Sequence, residues 1–137
     1  MGTIEQKIEF KDMKNVHISF PIIADLTMEV AHKYGMLHPG ASSTQAVRAT
    51  FIIDPEGKVR AILYYPQSNG RNMDEIMRLL VALQTADEHG IATPANWQPG
   101  DEVIIPPPPT DSIAAERVAG AGEGYRCLDW FLCLKKL

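Results

Sequence analysis

Two apolar runs, residues 49–53 and 59–65, lie on either side of a short polar segment at residues 54–57. The runs are rich in β-branched and aromatic residues, and the segment between them reads Asp-Pro-Glu-Gly, which is typical of a tight turn. This pattern predicts a β-hairpin. Because the runs are apolar at nearly every position, we expect both faces of the strands to be covered, in the middle of a larger sheet.

After the hairpin the apolar residues recur every three or four positions, which predicts an amphipathic helix packed on the sheet. Asn72, with Glu75 three residues later, is predicted to cap the start of this helix, and Gly90 is predicted to end it. The apolar stripe consists of Met73, Ile76, Met77, Leu80, Leu83 and Ala86.

A shorter strand and a shorter helix are predicted upstream of the hairpin. Residues 18–23 are apolar and are interrupted by Pro21, which favours an edge strand because proline cannot donate to a ladder. Asp25 or Thr27 is expected to cap a short helix that ends at Gly35. Strands followed by helices indicate the α/β class.

From residue 91 onwards the composition changes, because prolines become frequent and exclude long helices. A short strand is predicted at residues 103–105 and one or two helical turns at residues 111–118, followed by a glycine-rich link. We therefore expect an extended arm with little core of its own. Its large aromatic side chains would then be buried against a partner subunit. These side chains are Trp97, Trp130 and Phe131.

Composition sets the broad class of the protein. The 137 residues are 45% hydrophobic, which suits one globular domain of ordinary size. The net charge is −4 and the 13 basic residues are scattered, which argues against nucleic-acid binding. No apolar run reaches about 18 residues, so no membrane span is expected. The charged first residues lack the apolar centre of a signal peptide, which indicates a cytoplasmic protein.

Arg48, at the start of the first strand of the hairpin, is one candidate for chemistry. A guanidinium at this position is either a solvated charge at the end of a strand or the partner of an anion or a thiolate. The four histidines lack the spacing of metal ligands, and no glycine-rich phosphate loop is present. Neither a metal nor a cofactor is therefore expected.

The two cysteines, Cys127 and Cys133, are the other candidates. In a cytoplasmic chain they are either inert buried thiols or redox-active ones. Six residues span about 20 Å in a strand and about 9 Å in a helix, and both lengths exceed the limit of about 7 Å between the Cα atoms of a disulfide. We expect no bond between the two cysteines unless the chain turns back between them.

The segment from Ser43 to Asp54, Ser-Thr-Gln-Ala-Val-Arg-Ala-Thr-Phe-Ile-Ile-Asp, resembles the segment with which peroxiredoxins place their active-site arginine at the start of a strand. Further segments match in the same order, at residues 20–25, 63–66, 70–72, 93–97 and 103–108. The chain is similar to the long peroxiredoxins of the one-Cys type. This resemblance implies the C-terminal part of a thioredoxin-like fold over residues 1–90, followed by a dimer-swapped arm over residues 91–137.

The resemblance also implies a function: thiol-dependent reduction of hydrogen peroxide or alkyl hydroperoxides by a homodimer that a thioredoxin-like protein regenerates. Arg48 matches the arginine that stabilises the attacking thiolate and orients the peroxide, and Cys127 and Cys133 match arm cysteines with a resolving or auxiliary role. The Pro-x-x-x-Thr-x-x-Cys motif that holds the peroxidatic cysteine is absent from this sequence. We therefore expect the chain alone to be a poor peroxidase. The alternative is a non-catalytic module that forms a homodimer or binds an intact peroxiredoxin.

Overall fold

The chain contains both helices and strands, as the α/β prediction requires. The computed structural model describes residues 17–38, 40, 46–120 and 124–137. The chain divides into two units, Met1–Ala46 and Val47–Leu137. The elements in chain order are α1 (Glu29–Lys33), β1 (Arg48–Ile53), β2 (Val59–Tyr65), α2 (Met73–His89), β3 (Val103–Ile105), α3 (Asp111–Ala119), β4 (Arg126–Asp129) and β5 (Leu132–Lys135).

In the first unit the predicted helix is present and the predicted strand is absent. The Asp25 carboxylate accepts hydrogen bonds from the backbone N–H groups of Val30 and Ala31 at 2.9 and 2.8 Å. Asp25, and not Thr27, is therefore the residue that caps α1. Residues 18–23 are irregular, and no described strand pairs with them, so the prediction of an edge strand is wrong.

β1 and β2 form the predicted hairpin. The two strands pair antiparallel, with Arg48 opposite Tyr65. In the turn, the Asp54 carboxylate accepts hydrogen bonds from two backbone N–H groups at 3.0 and 2.9 Å. Gly57 has a φ of +82°, a conformation that side chains with a Cβ rarely adopt. The residues of the turn therefore determine how the two strands are paired.

In the described part of the chain the hairpin is a sheet of two strands, and not the middle of a larger sheet. The expectation that both faces are covered is also wrong for this part, because positions of both strands are exposed. Large apolar side chains consequently remain exposed on the hairpin. They are Ile53, Val59, Ile62 and Tyr64.

α2 begins and ends where the sequence predicts. The Asn72 side chain accepts a hydrogen bond from the Glu75 N–H at 3.2 Å, and Gly90 ends the helix with a φ of +59°. Arg60 of β2 holds the Asp87 carboxylate with two hydrogen bonds of 2.6 and 2.8 Å. These bonds lower the pKa of Asp87, because they favour its charged form. The end of α2 is thereby tied to the hairpin.

The first turns of the predicted apolar stripe do not pack as expected. Met73 and Met77 are exposed, whereas Ala82 is buried and Val81 and Ala86 pack against the core. The packed part of α2 is therefore its second half, which faces the segment that follows the helix.

Trp97 is buried in its own chain, with only 3% of its surface exposed. Its neighbours in the core are Ala82, Ile91 and Val103. Arg78 donates a hydrogen bond from Nη1 to the Trp97 carbonyl at 3.3 Å, which holds the segment on α2. The expectation that Trp97 requires a partner subunit is wrong, because residues 91–103 fold back onto the helix that precedes them.

The end of the chain forms a second sheet, with antiparallel strands in the order β3, β5, β4. The strand at 103–105 and the helix α3 match the sequence prediction, and Thr110 caps α3. The hairpin of β4 and β5 was not predicted. No helix in the described ranges is long and apolar enough to cross a membrane.

Candidate functional site

Arg48 is the first residue of β1 and is exposed. Its Nη1 donates a hydrogen bond to the Asn69 carbonyl, at 3.1 Å, in the loop after β2. This loop is a turn closed by a hydrogen bond of 3.0 Å from the Asn69 N–H to the Pro66 carbonyl. The Ser68 hydroxyl donates to the Asn69 side chain at 2.7 Å. The loop therefore orients the guanidinium through one of its five N–H donors.

Cys127 and Cys133 form a disulfide, with an S–S distance of 1.99 Å and a Cα–Cα distance of 4.0 Å. The two residues lie directly opposite each other in β4 and β5. The chain turns back between the cysteines, which is the one condition under which the sequence allows the bond.

The two sulfur atoms differ in accessibility. Cys133 lies in the central strand and is 1% exposed, whereas Cys127 lies in the edge strand β4 and is partly exposed. Cys127 Sγ is 4.0 Å from the Arg117 carbonyl of α3, and Cys133 Sγ is 3.7 Å from the Asp129 carbonyl. The Cys127 sulfur is therefore the more accessible of the two to an attacking group.

Side chains around the disulfide hold the second hairpin in place. The Tyr125 hydroxyl donates to the Arg117 carbonyl at 2.9 Å, which ties the hairpin to the end of α3. Arg126 Nη2 binds the Glu102 carboxylate at 2.7 Å. The hydrogen bond from Arg126 lowers the pKa of Glu102. Arg126 is thus engaged by a carboxylate, although the sequence places it next to Cys127.

The site consists of two parts. Within the described residues, Arg48 is held by the loop after the first hairpin, and the disulfide is held by the second hairpin and α3. Sequence reasoning missed Asn69 and Tyr125, because both act through backbone carbonyls that the fold brings close. The signal that was available for the second hairpin is the pair of similar segments around the cysteines, Arg-Cys-Leu-Asp and Leu-Cys-Leu-Lys.

We expect oxidised protein to contain the Cys127–Cys133 crosslink as its dominant disulfide. Both cysteines lie in one tryptic peptide, residues 127–135, which should be lighter by two hydrogen atoms than the reduced peptide. Cleavage after Trp130 or Phe131 should leave the two halves joined until a reductant is added. Reduction should lower the free energy of unfolding by about 2 kcal/mol, because the crosslink closes a short loop.

The variant Cys127→Ser is the control, since it should show neither the mass difference nor the loss of stability on reduction. A dominant crosslink between two chains would contradict the paired register of β4 and β5.

Comparison with known families agrees with the resemblance read from the sequence. The family model AhpC/TSA matches residues 2–62, and the model for the C-terminal domain of 1-Cys peroxiredoxin matches residues 82–119. A peroxiredoxin of Methanosarcina mazei is 65% identical over 133 residues, which cover 97% of this chain and 61% of that protein. A peroxiredoxin of Aquifex aeolicus is 49% identical and covers 95% of this chain and 62% of that protein. The chain thus spans about three fifths of the length of these relatives.

Solved structures show the same similarity. The yeast mitochondrial 1-Cys peroxiredoxin superposes with a TM-score of 0.71 at 37% identity and covers 87% of this chain and 57% of its own. A cysteine-to-serine mutant of peroxiredoxin 6 from Arenicola marina gives a TM-score of 0.65 at 34% identity, with coverage of 86% and 56%. These neighbours have the thioredoxin-like fold. The described hairpin and helices correspond to part of that fold.

Proposed function

Because the chain belongs to the peroxiredoxin family and resembles its 1-Cys type, we propose that the complete protein reduces hydrogen peroxide or alkyl hydroperoxides with thiols. The observation that carries this proposal is the identity of 65% with a peroxiredoxin over nearly the whole chain. The joined pair Cys127 and Cys133 supports it, because it supplies two thiols that can exchange electrons with a peroxidatic cysteine.

The reaction starts at the peroxidatic cysteine of the Pro-x-x-x-Thr-x-x-Cys segment, which these 137 residues do not contain. Its thiolate attacks one peroxide oxygen, so that an S–O bond forms, the O–O bond breaks, and water or an alcohol leaves. Arg48 is proposed to stabilise the thiolate and to orient the peroxide. A guanidinium suits this role because it stays charged and offers its donors in a fixed geometry.

The sulfenic acid then condenses with an arm thiolate, and an S–S bond forms as water leaves. The second arm thiolate attacks that bond, which releases the peroxidatic thiolate and leaves the Cys127–Cys133 disulfide. A thioredoxin-like dithiol supplies two electrons and reopens the disulfide. The yeast mitochondrial 1-Cys peroxiredoxin resolves its thiol via glutathione and thioredoxin systems, which supports a reductant of this class.

The test is to restore the peroxidatic cysteine. We expect a fusion that places a peroxiredoxin segment with the Pro-x-x-x-Thr-x-x-Cys motif upstream of this chain to consume peroxide in the presence of thioredoxin. The Arg48→Ala fusion should lose most of this rate, whereas Lys58→Ala, which removes an exposed charge from the same hairpin, is the control and should keep it. Equal rates with and without Arg48 would contradict its role in stabilising the thiolate.

We also propose that the protein is at least a homodimer. The tip of the second hairpin exposes large apolar side chains, with Leu128 at 66% and Phe131 at 54%, and such a surface is typical of a subunit contact. Light scattering after gel filtration should give at least twice the monomer mass at micromolar concentration, and Phe131→Ser should lower it. A monodisperse monomer would contradict the dimer.

The non-catalytic assembly module remains the second candidate. The same exposed hairpin tip favours it, because this surface serves subunit assembly whether or not the chain takes part in catalysis. A fusion that forms dimers but does not consume peroxide would favour the module over the enzyme.

The cytoplasmic location stays a prediction.

A further inference from the structure

A groove lies between α3 and the tip of the second hairpin, with a volume of about 580 Å³. One wall is a face of α3 with small apolar side chains, from Ala114 to Ala119, and the other wall contains Trp130. The carboxylates of Asp111 and Asp129 lie at its edge. No residue of α3 is buried, and Trp130 is 50% exposed, so the described part of the chain leaves this groove open.

The two elements that form the groove also surround the disulfide. Asp129 and Trp130 follow Cys127 in the hairpin that the disulfide closes, and Cys127 Sγ is 4.0 Å from the Arg117 carbonyl of α3. The Tyr125 hydroxyl holds the hairpin to the same carbonyl. The two walls are therefore held together by contacts around the sulfur atom that a reductant has to reach.

The two carboxylates at the edge of the groove determine which charge a bound partner should carry. Within the described residues, neither Asp111 nor Asp129 forms an ion pair, although Asp129 accepts a hydrogen bond from the Trp130 N–H at 2.7 Å. An apolar surface between two carboxylates complements an apolar surface that carries Lys or Arg. Tryptophan is one of the residue types that contribute most of the binding energy at interfaces, so Trp130 suits the role of an anchor for such a contact.

We propose that this groove is the docking site for the protein dithiol that reduces the Cys127–Cys133 disulfide, and that this partner presents apolar and basic side chains next to its attacking thiol. The inference rests on the proposed function and adds the surface by which the reductant is recognised. The groove is present in the oxidised form, which is the form that the reductant has to recognise.

The thiol exchange is balanced. A thiolate of the reductant attacks Cys127 Sγ, the Cys127–Cys133 bond breaks, and Cys133 leaves as a thiolate. The second thiolate of the reductant then attacks the reductant sulfur that is bonded to Cys127 in the mixed disulfide. This step releases Cys127 as a thiolate. The reductant is oxidised to a disulfide, and both cysteines of the hairpin take up protons from water as their thiols form.

The test compares two substitutions at adjacent positions of α3, and a third at Trp130, in the oxidised 137-residue chain. Ala115→Arg places a long cationic side chain in the groove, whereas Glu116→Arg places the same side chain outside its lining. The rate of disulfide opening is measured with thioredoxin and, separately, with dithiothreitol, which needs no docking surface. We expect Ala115→Arg and Trp130→Ala to lower the rate at which thioredoxin opens the disulfide by about tenfold or more. Glu116→Arg should stay within about twofold of the original chain, and dithiothreitol should open all four proteins within about twofold.

Glu116→Arg is a demanding control for the effect of charge, because it changes the net charge by two whereas Ala115→Arg changes it by only one. Equal slowing by both arginines would mean that overall charge, and not the groove, governs the reaction, and would overturn the proposal. The same conclusion would follow if Ala115→Arg left the thioredoxin rate unchanged or slowed dithiothreitol as strongly as thioredoxin. If Ala115→Arg instead changed the mass in light scattering, the groove would be a subunit contact and the proposal would be wrong.

The outcomes also separate this inference from the proposed function. If thioredoxin opens the disulfide of the original chain and of every variant equally, the docking site is wrong and the proposed function stands. If thioredoxin fails on the original chain while dithiothreitol succeeds, the thioredoxin-like reductant is wrong, and the docking site is wrong with it.

Discussion

Replacing Trp97 with alanine is expected to lower the free energy of unfolding by about 3–5 kcal/mol, which is the usual cost of removing a large buried aromatic side chain. Trp97 is 3% exposed and lies among Ala82, Ile91 and Val103, so its removal leaves a cavity that its neighbours fill only in part. This core joins α2 to β3. Unfolding of the unit from Val47 to Leu137 in urea, followed by circular dichroism, measures the loss.

Trp130→Ala is the matched control, because it removes the same side chain from a position that is 50% exposed. We expect it to change the stability by less than about 1 kcal/mol. If both substitutions cost the same, Trp97 is not the centre of the core, and the segment after α2 does not fold back as described.

The sequence predicts the first hairpin and α2 well, because their signals are local. The turn at 54–57 contains its own hydrogen-bonding residues, and Asn72 and Gly90 mark the ends of the helix. The packing of Trp97 is not local. Proline content correctly excludes long helices after residue 90, but it carries no information on whether an irregular segment extends away or folds back. The expectation that Trp97 is buried against a partner subunit failed for that reason.

The residues of the candidate site were predicted from the sequence, but the bond between the two cysteines was not. The roles of Arg48 and of the two cysteines come from the resemblance to peroxiredoxins. The comparisons confirm the family, and the roles of these residues stay predictions. The bond between the cysteines depends on the pairing of β4 with β5. The turn between these strands, Trp130-Phe131, contains no glycine or proline that marks it in the sequence. A distance argument based on straight strands or helices therefore pointed away from the disulfide.

The partner of Arg48 was also outside the reach of sequence reasoning. Its Nη1 donates to a backbone carbonyl, which every residue carries, so no residue type signals the contact. The contact joins positions 48 and 69 because β1 and β2 are antiparallel and end next to each other at Tyr65. Only the register of the hairpin determines which loop holds the arginine.

The last prediction is that this chain alone consumes peroxide at about the rate of a free thiol, and that Arg48→Ala changes this rate by less than about twofold. Arg48 stabilises a thiolate only at close range, and its described partner is the Asn69 carbonyl. Cys127 and Cys133 are joined in a disulfide, so neither is a thiolate that could attack peroxide until the bond is reduced. Arg126, the cation next to Cys127 in sequence, is bound to Glu102.

Peroxide consumption in the presence of thioredoxin and thioredoxin reductase measures this rate, and the fusion that carries the Pro-x-x-x-Thr-x-x-Cys segment is the positive control. The fusion should exceed the chain alone by several orders of magnitude, because the positioning of thiolate and peroxide accounts for most of the catalysis. A rapid rate in the chain alone that is abolished by Cys127→Ser or Cys133→Ser would show that a cysteine of the second hairpin attacks peroxide directly. In that case the disulfide would be formed by the first turnover, and Arg48 would need to lie within reach of that cysteine.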